Sequence, residues 1–114
     1  MVVVGKIHIL DELTVEPGNL AAVRRLMAEG YMAGAAERGM TLEQTWLTPP
    51  VELFDQPNTL VFLWSVPDAP AWWAMRGAAG RDPGVAEFWA EVDAHCVERQ
   101  RRFLVDDPPA EAER

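Results

Sequence analysis

The sequence predicts an α+β protein, with an antiparallel sheet and helices packed on one of its faces. Segments with strand-like hydrophobicity are separated by segments whose apolar residues recur at helical spacing. Their order is strand, helix, strand, strand, two helices and a possible final strand, which is typical of a ferredoxin-like sheet. A chain of 114 residues with 49% hydrophobic positions can build one such core, and it is shorter than two domains usually require.

The first strand and the first helix are defined by different hydrophobic periods. Residues 2–10 are rich in β-branched side chains, and strand alternation places Lys6 and His8 on the same face. Residues 20–35 carry apolar side chains close to helical period, and Asn19 stands where a helix cap is expected. We therefore expect a strand followed by one helix.

Two further strands follow. Residues 40–47 alternate, so that Leu42, Gln44 and Trp46 are expected on one face. A loop with prolines and turn residues separates them from residues 59–66, which are apolar on both faces and fit a central strand. One subunit cannot cover both faces of that strand, so the sequence predicts a homodimer that buries the second face.

The second half of the chain begins with two capped helices. Asp68 can cap a helix over about residues 70–79 that Gly80 would end, and Asp82 can cap a second helix that starts at the following proline. Residues 97–105 fit either a continued helical stripe or a final strand. The pattern alone leaves both alternatives open.

Charge and composition exclude several classes of function. The chain has 18 acidic and 10 basic side chains, a formal net charge of −8, which repels nucleic acid and anionic membranes. The apolar start is too short to cross a bilayer, and a single cysteine, Cys96, fits a reducing compartment such as the cytoplasm. Residues 106–114 are acidic and contain two prolines, so we expect a loose tail after a single domain of residues 1–105.

Short motifs along nearly the whole chain occur in an order that resembles one known family. They are Pro17-Gly18 before the first helix, Gly39 before the second strand, Trp46-Leu47-Thr48 at its end, residues 58–64 as the third strand, Asp82-Pro83 with Phe88, and Arg99-Gln100 leading into Phe103-Leu104. In these features the chain resembles the NIPSNAP family, a branch of the dimeric α+β barrel superfamily that also includes antibiotic biosynthesis monooxygenases and small isomerases. Two positions depart from the family pattern: Phe62 replaces a frequent histidine, and Val85 replaces a frequent tryptophan.

The resemblance has implications for the fold, the assembly and the function of this chain. It implies that the final segment is a strand from about Val97, that two subunits pair as a dimeric α+β barrel, and that a pocket lies between sheet and helices within each subunit. It also implies a choice of function, because the superfamily includes enzymes that need no cofactor while NIPSNAP-like proteins widely lack an assigned reaction.

His8 is the candidate catalytic residue. A neutral imidazole can accept or donate a proton near pH 7 without a cofactor, and His8 lies in the middle of a predicted strand. The alternative is a histidine that only forms hydrogen bonds at a strand or subunit contact.

Aromatic and polar side chains around the predicted pocket are the candidate substrate-binding residues. Five tryptophans are more than one small core usually needs, and flat aromatic walls stack on planar ligands. Arg76 follows Trp72 by four residues, so its guanidinium is expected to stack on that indole and, with it, to hold an aromatic or enolate-bearing ligand; the alternative is an exposed stacking pair. The alternative for each tryptophan is packing in the core. The candidates are Tyr31, Gln44, Trp46, Phe62, Trp64, Trp72 and Arg76.

These candidates favour a cofactor-independent enzyme. The sequence has no glycine-rich phosphate loop, no paired metal ligands and no serine nucleophile motif, so we expect no cofactor and no metal site. The predicted function is an oxygenase, isomerase or cyclase that acts on a planar, aromatic or polyketide-like small molecule by proton transfer in a tryptophan-lined pocket. The alternative is a non-catalytic ligand-binding or protein-interaction module of the NIPSNAP type.

Overall fold

The fold is a four-stranded antiparallel sheet covered on one face by helices, in the strand order β2-β3-β1-β4. The computed structural model describes residues 5–107. The elements are β1 (Ile7–Val15), α1 (Leu20–Leu26), a π-helical turn (Met27–Tyr31), α2 (Met32–Glu37), β2 (Thr41–Thr48), β3 (Asn58–Val66), α3 (Ala69–Arg81), α4 (Pro83–Asp93) and β4 (Cys96–Val105). The predicted ferredoxin-like α+β fold is confirmed, and the last segment is the strand that the family resemblance implies.

The two central strands alternate between a buried face and an open one. In β1, Ile9 and Leu13 are fully buried under the helices, and the neighbouring Leu10 is only partly covered. In β3, Trp64 lies directly opposite Ile9, and Leu63 lies opposite Leu10. Residues that face each other across a ladder share a face of the sheet, so the two strands together build both surfaces. We call the surface away from the helices the open face.

The second strand contains a bulge that changes the expected face of one residue. Leu42 pairs with Trp64, whereas Gln44 pairs with Leu63, and the register shifts between them. One extra residue in a strand shifts the alternation by one position. Residues after the bulge therefore lie on the opposite face from the one that regular alternation predicts. Gln44 and Trp46 therefore lie on the open face while Leu42 lies on the helix side, and the prediction that all three share a face is wrong.

The helix predicted over residues 20–35 is interrupted by the π-helical turn. Gly30 lies in that turn, where a Cβ atom would come within 2.8 Å of Cε1 of Phe88. The turn therefore brings backbone close to the aromatic face of α4. Asn19 occupies the N-cap position, but its side chain makes no cap hydrogen bond, contrary to the prediction. Gly39 follows the helix with a φ of +87°, a conformation that favours glycine.

The two later helices begin as predicted. Oδ1 of Asp68 accepts a hydrogen bond from the Ala71 amide at 2.8 Å, and Oδ1 of Asp82 accepts one from the Gly84 amide at 2.9 Å. Each carboxylate satisfies an amide that the first turn leaves without a helical partner. The helix α3 continues through Gly80 to Arg81, so Gly80 does not end it as predicted.

Most of the predicted tail, residues 108–114, lies outside the described residues. No helix within residues 5–107 has both the length and the apolar composition that a membrane span requires.

Candidate functional site

A buried carboxylate on the central strand organises the space between the sheet and the helices. Asp11 is 1% exposed, and its position on β1 places it directly opposite Arg101 of β4. Nε of Arg101 donates to Oδ1 of Asp11 at 2.6 Å, and Nη2 donates to Oδ2 at 2.8 Å. Nε1 of Trp64 donates to the same Oδ2 at 2.9 Å. These three bonds fix the carboxylate and orient the guanidinium.

Tyr31 extends this network from the π-helical turn. Its hydroxyl accepts a hydrogen bond from Nη2 of Arg101 at 2.9 Å and donates to the sulfur of Met40 at 3.7 Å. The Tyr31 ring lies 4.8 Å from Trp89 and 5.4 Å from Trp64 between ring centroids. The network is therefore enclosed by aromatic rings, which exclude water and strengthen its electrostatic interactions.

Arg101 is held in its charged form. Burial opposes the charge, but the hydrogen bonds and the negative charge of Asp11 outweigh it and raise the pKa of Arg101 above its usual range. Nε and Nη2 are used by Asp11 and Tyr31, so Nη1 is the guanidinium nitrogen that has no partner within residues 5–107. Arg101 thus presents a fixed cation with one end free to bind a ligand.

A cleft between α3 and β4 lies beside this cation. Its apolar part, about 330 Å³, is lined by Trp72 and Trp73 of α3 and by Phe103 and Val105 of β4. Its cationic part, about 200 Å³, is lined by Met75, Arg76, Ala79, Arg101 and Phe103. Phe103 lines both parts, and together we call them the α3–β4 cleft.

Arg76 stands at the boundary between the two parts of the cleft. Its guanidinium carbon lies 4.9 Å from the Trp72 ring centroid and 5.4 Å from that of Phe103. Arg76 has no ion-pair partner in the described part of the chain. The stacking of Arg76 on Trp72 that the four-residue spacing predicts is present. No carboxylate lines the cationic part of the cleft, although the chain carries a net charge of −8.

The predicted substrate-binding residues separate into three groups. Trp72 and Arg76 line the α3–β4 cleft. The second group is buried between sheet and helices and packs around the Asp11 network: Tyr31, Phe62 and Trp64. The third group, Gln44 and Trp46, lies on the open face, opposite Leu63 and Val61. Trp46 and Trp64 are therefore on opposite sides of the sheet and cannot line the same pocket. The bulge in β2 is the reason, because it places Trp46 on the open face.

His8 lies on the open face, away from the α3–β4 cleft. It pairs across the ladders with Ser65 and Leu104, and its Nε2 lies 3.3 Å from Oδ1 of Asp106. His8 lines neither part of the α3–β4 cleft. The structure therefore does not bring His8 together with Trp72 and Arg76, and its role as a general base stays a prediction.

An ion pair on the open face accompanies His8. Nζ of Lys6 donates to Oε1 of Glu43 at 2.7 Å. This hydrogen bond and the charge of Lys6 lower the pKa of Glu43, and His8 contributes a smaller effect of the same sign. The surroundings of His8 are therefore those of a charged, partly exposed sheet surface.

Sequence reasoning missed Asp11 and Arg101 as functional candidates. The first strand was expected to end at residue 10, which assigned Asp11 to a loop, whereas β1 continues to Val15. The sequence does contain a signal that Asp11 is buried, because Asp11 continues the alternation of the buried residues Ile7 and Ile9. A carboxylate at a core position of a strand requires a donor nearby.

The three arginines of β4 pair with carboxylates. Arg99 binds Asp93 at 2.7 Å, and this hydrogen bond lowers the pKa of Asp93. Arg102 binds Glu12 at 2.7 Å on the open face, whereas Arg101 lies on the helix side of the sheet. Within residues 5–107 no cluster of three or more His, Cys, Asp or Glu side chains is arranged to hold a metal ion.

Solved structures of other proteins share this arrangement of strands and helices. A NIPSNAP family protein from Agrobacterium tumefaciens strain C58 superposes with a TM-score of 0.69 at 16% identity, over 90% of this chain and 93% of that one. An uncharacterized NIPSNAP domain protein from Burkholderia xenovorans gives 0.67 at 18% identity, over 91% and 95% of the two chains. The chain has the NIPSNAP fold. The expected similarity to the dimeric α+β barrel proteins is thus confirmed at the level of structure.

The NIPSNAP fold is shared with an enzyme. SnoaB, a cofactor-independent oxygenase from Streptomyces nogalater, superposes with a TM-score of 0.59 at 14% identity, over 94% of this chain and 98% of that one. No protein-family model matches the sequence, and no curated protein matches it at a significant level. At these identities the similarity establishes the fold, while function has to be argued from the site.

Proposed function

We propose that this protein is a cofactor-independent enzyme of the oxygenase, isomerase or cyclase type that binds a planar aromatic or polyketide-like molecule in the α3–β4 cleft. One observation carries the proposal: two guanidinium groups, those of Arg76 and Arg101, line a small hollow without carboxylates, next to an aromatic hollow. Arg101 is already paired with Asp11, so Arg76 supplies the uncompensated positive charge of this hollow, which in an acidic protein is suited to an anionic ligand.

The apolar part of the cleft suits the planar body of such a ligand. Trp72 and Phe103 meet edge to face at 5.2 Å between ring centroids, and both rings line the hollow, where a flat molecule can contact them. The volume of about 330 Å³ is at the lower end of the range for small-molecule sites. Stacking on rigid rings costs little conformational entropy, which favours a ligand of one to three fused rings.

The cationic part suits an acidic oxygen at one end of the ligand. Two guanidinium groups favour the ionised form of a phenol or enol and so lower its pKa. Asp11 and Tyr31 hold Arg101 in place before the ligand arrives, so the charge needs little reorganisation. A phenolate or enolate is electron-rich, and it is the form from which oxygenation, isomerisation and ring closure proceed.

This mechanism assigns electrostatic stabilisation to Arg76 and Arg101. A sufficiently acidic phenol or enol ionises at this site by losing its proton to water. His8 remains the candidate general base only for a substrate that reaches the open face, because the sheet separates it from the cleft. The oxygenase type is supported at the level of the fold by the similarity to SnoaB.

A second candidate function is a binding module without turnover. It is favoured by a specific observation: no histidine or unpaired carboxylate lines the α3–β4 cleft among the described residues. In that case the cleft would bind the same class of molecule and release it unchanged, or the chain would serve protein interaction as the NIPSNAP-type alternative suggests.

We further propose that the protein forms a homodimer through the open face. That face carries apolar side chains on all four strands, and two of them are largely exposed: Trp46 at 47% and Leu104 at 42%. A second copy of the same face would cover them with a self-complementary surface.

Binding is tested with a hydroxyanthraquinone dye such as alizarin, whose visible absorbance changes when it ionises. The wild-type protein should bind the dye as its anion and lower the pKa of the dye. Arg76→Gln should weaken binding by about 10- to 100-fold, because a hydrogen bond to a charged group is lost. The matched control Arg25→Gln, an exposed arginine on α1, should leave binding unchanged.

Turnover is tested separately by incubating hydroxyanthraquinones and related polyphenols with the protein in air, without added cofactor, and following product mass. Product formation that Arg76→Gln slows would support the enzyme. Binding without product would support the module. Binding that Arg76→Gln and Arg25→Gln affect equally would contradict the assignment of the cleft.

A further inference from the structure

A second cavity lies on the other side of Tyr31 from Arg101. It occupies about 220 Å³ between the helical segment of residues 27–37 and the start of α4. Gly30, Tyr31, Gly34 and Arg38 line it on one side, and Asp82, Val85 and Phe88 line it on the other. The α3–β4 cleft shares none of these lining residues, so the two sites are distinct.

Arg38 lines this cavity, and part of its guanidinium group is buried. Its guanidinium lies over the Tyr31 ring at 5.2 Å, and its Nε and Nη2 atoms are buried without a hydrogen-bond partner within residues 5–107. Buried charged donors without partners are costly, and they are rare unless something else binds them. Gly34 makes room for this side chain, since a Cβ there would come within 2.9 Å of Nη1 of Arg38.

Asp82 contributes the opposite charge. Its Oδ1 accepts a hydrogen bond from the Gly84 amide at 2.9 Å. No residue in the described part of the chain forms a salt bridge with Asp82 or with Arg38. A guanidinium and a carboxylate therefore line the same small cavity and lie too far apart to neutralise each other directly.

The remaining walls are apolar. The Tyr31 and Phe88 rings are stacked at 5.4 Å between centroids, and Val85 lies one helical turn before Phe88. The volume of about 220 Å³ corresponds to about seven water molecules at their share of liquid volume, which suits a small ligand. The cavity thus offers one cationic wall, one anionic wall and an apolar wall to a molecule of a few heavy atoms.

We propose that this cavity binds a free α-amino acid. The carboxylate would accept hydrogen bonds from the Arg38 guanidinium group, the ammonium group would donate to the Asp82 carboxylate, and an aliphatic side chain would pack on Val85 and Phe88. A simple anion would be repelled by Asp82, and a simple cation would be repelled by Arg38. Only a ligand that carries both charges satisfies both walls.

The experiment follows the Nε–H resonance of Arg38 by ¹H–¹⁵N NMR in the full-length protein. The resonance is assigned by its loss in Arg38→Lys. The probes are L-alanine and L-leucine, together with two analogues of leucine: 4-methylpentanoate, which lacks the amino group, and 3-methylbutylamine, which lacks the carboxylate. At least one amino acid should shift the resonance in a saturable way, and each single-charge analogue should bind at least about 10-fold more weakly than leucine.

Two glycine variants provide a matched pair. Gly34→Ala places a Cβ against the flexible end of Arg38, which should displace the guanidinium while the helix remains folded, and it should abolish amino acid binding. Gly77→Ala places a Cβ 3.1 Å from Nη1 of Arg81 on α3, outside the cavity, and it should leave binding unchanged. Far-ultraviolet circular dichroism checks that both variants are folded.

Three results would overturn the proposal. The first is no shift of the Arg38 resonance with either amino acid. The second is binding of 4-methylpentanoate as tight as that of leucine, which would indicate a simple anion site. The third is a large shift in Asp82→Asn without any ligand and no response to amino acids, which would show that Arg38 and Asp82 pair with each other. None of these results bears on dye binding in the α3–β4 cleft.

Discussion

The ion pair of Asp11 and Arg101 is the residue-scale feature on which the proposed site depends. A buried ion pair generally stabilises a fold no better than apolar side chains of similar volume, because both charges lose their hydration. This pair nevertheless lies between a central strand and an edge strand, with Asp11 almost fully buried. Its three hydrogen bonds orient the guanidinium beside the cleft, which is a positional effect that apolar residues could not supply.

Replacing Asp11 by asparagine should be strongly destabilising. The substitution keeps the shape of the side chain but leaves the charge of Arg101 without its counter-ion, and we expect a loss of about 3–5 kcal/mol in the free energy of unfolding. The control is Asp93→Asn, which removes the partner of Arg99 at a half-exposed position and should cost less than about 1 kcal/mol. Urea titration measures both values. Equal losses in the two variants would show that Arg101 does not depend on Asp11.

Trp64 should behave as a core residue. It is 1% exposed, and its indole N–H is used by Asp11, so Trp64→Ala should cost about 3–5 kcal/mol of unfolding free energy. Trp73 is 67% exposed on α3, and Trp73→Ala should cost less than about 1 kcal/mol. Denaturant titration followed by circular dichroism compares them. A small loss for Trp64→Ala would mean that this indole lines an open pocket, as the sequence analysis predicts.

Local sequence patterns predict some helices and strands of this fold correctly and fail for the bulge in β2. The run of residues 59–66 that is apolar on both faces and the Asp caps of α3 and α4 are local signals, and each predicts its element closely. The bulge in β2 leaves no trace in the sequence, because it depends on the register with β3. Trp46 was therefore assigned to the same slot as Trp64, although the two lie on opposite faces.

The candidate site was predictable only in part for a related reason. Arg76 and Trp72 are four residues apart on one helix, so helical geometry alone predicts their stacking. Asp11 and Arg101 are 90 residues apart and meet only because β4 pairs with β1. Single-sequence patterns do not encode such a pairing, which is why the cationic part of the cleft was missed.

The close packing of the π-helical turn against α4 can be tested by substituting Gly30. Gly30→Ala would place a Cβ within 2.8 Å of Cε1 of Phe88, so the ring or the helix must move. We expect a loss of about 1–3 kcal/mol in unfolding free energy, typical of overpacking. Gly80→Ala is the control, because a Cβ there meets nothing within 4 Å and should stabilise α3 by up to about 1 kcal/mol. A neutral Gly30→Ala variant would contradict close packing of the π-helical turn on α4.

At the scale of the whole molecule, the open face determines assembly. Leu10 and Leu63 lie opposite each other near its centre, with Val61 and Trp46 beside them. If two copies pair through this face, Leu63→Asp should convert a dimer into a monomer at micromolar concentration, because a charge would be buried without a partner. Phe54→Asp, at a position that is 94% exposed outside the sheet, should remain dimeric. Light scattering after size-exclusion chromatography measures the mass of the wild-type protein and of both variants. A monomeric wild-type protein would contradict the proposed dimer.

The central claim is that a planar anionic molecule binds between α3 and β4. The most direct measurement is a ¹H–¹⁵N NMR titration of the five tryptophan indole N–H resonances with alizarin. Trp72 and Trp73 line the apolar part of the cleft, so their resonances should shift, whereas that of Trp46 on the open face should stay unchanged. A shift of the Trp46 resonance without one for Trp72 would place the ligand on the open face beside His8 and would contradict the account.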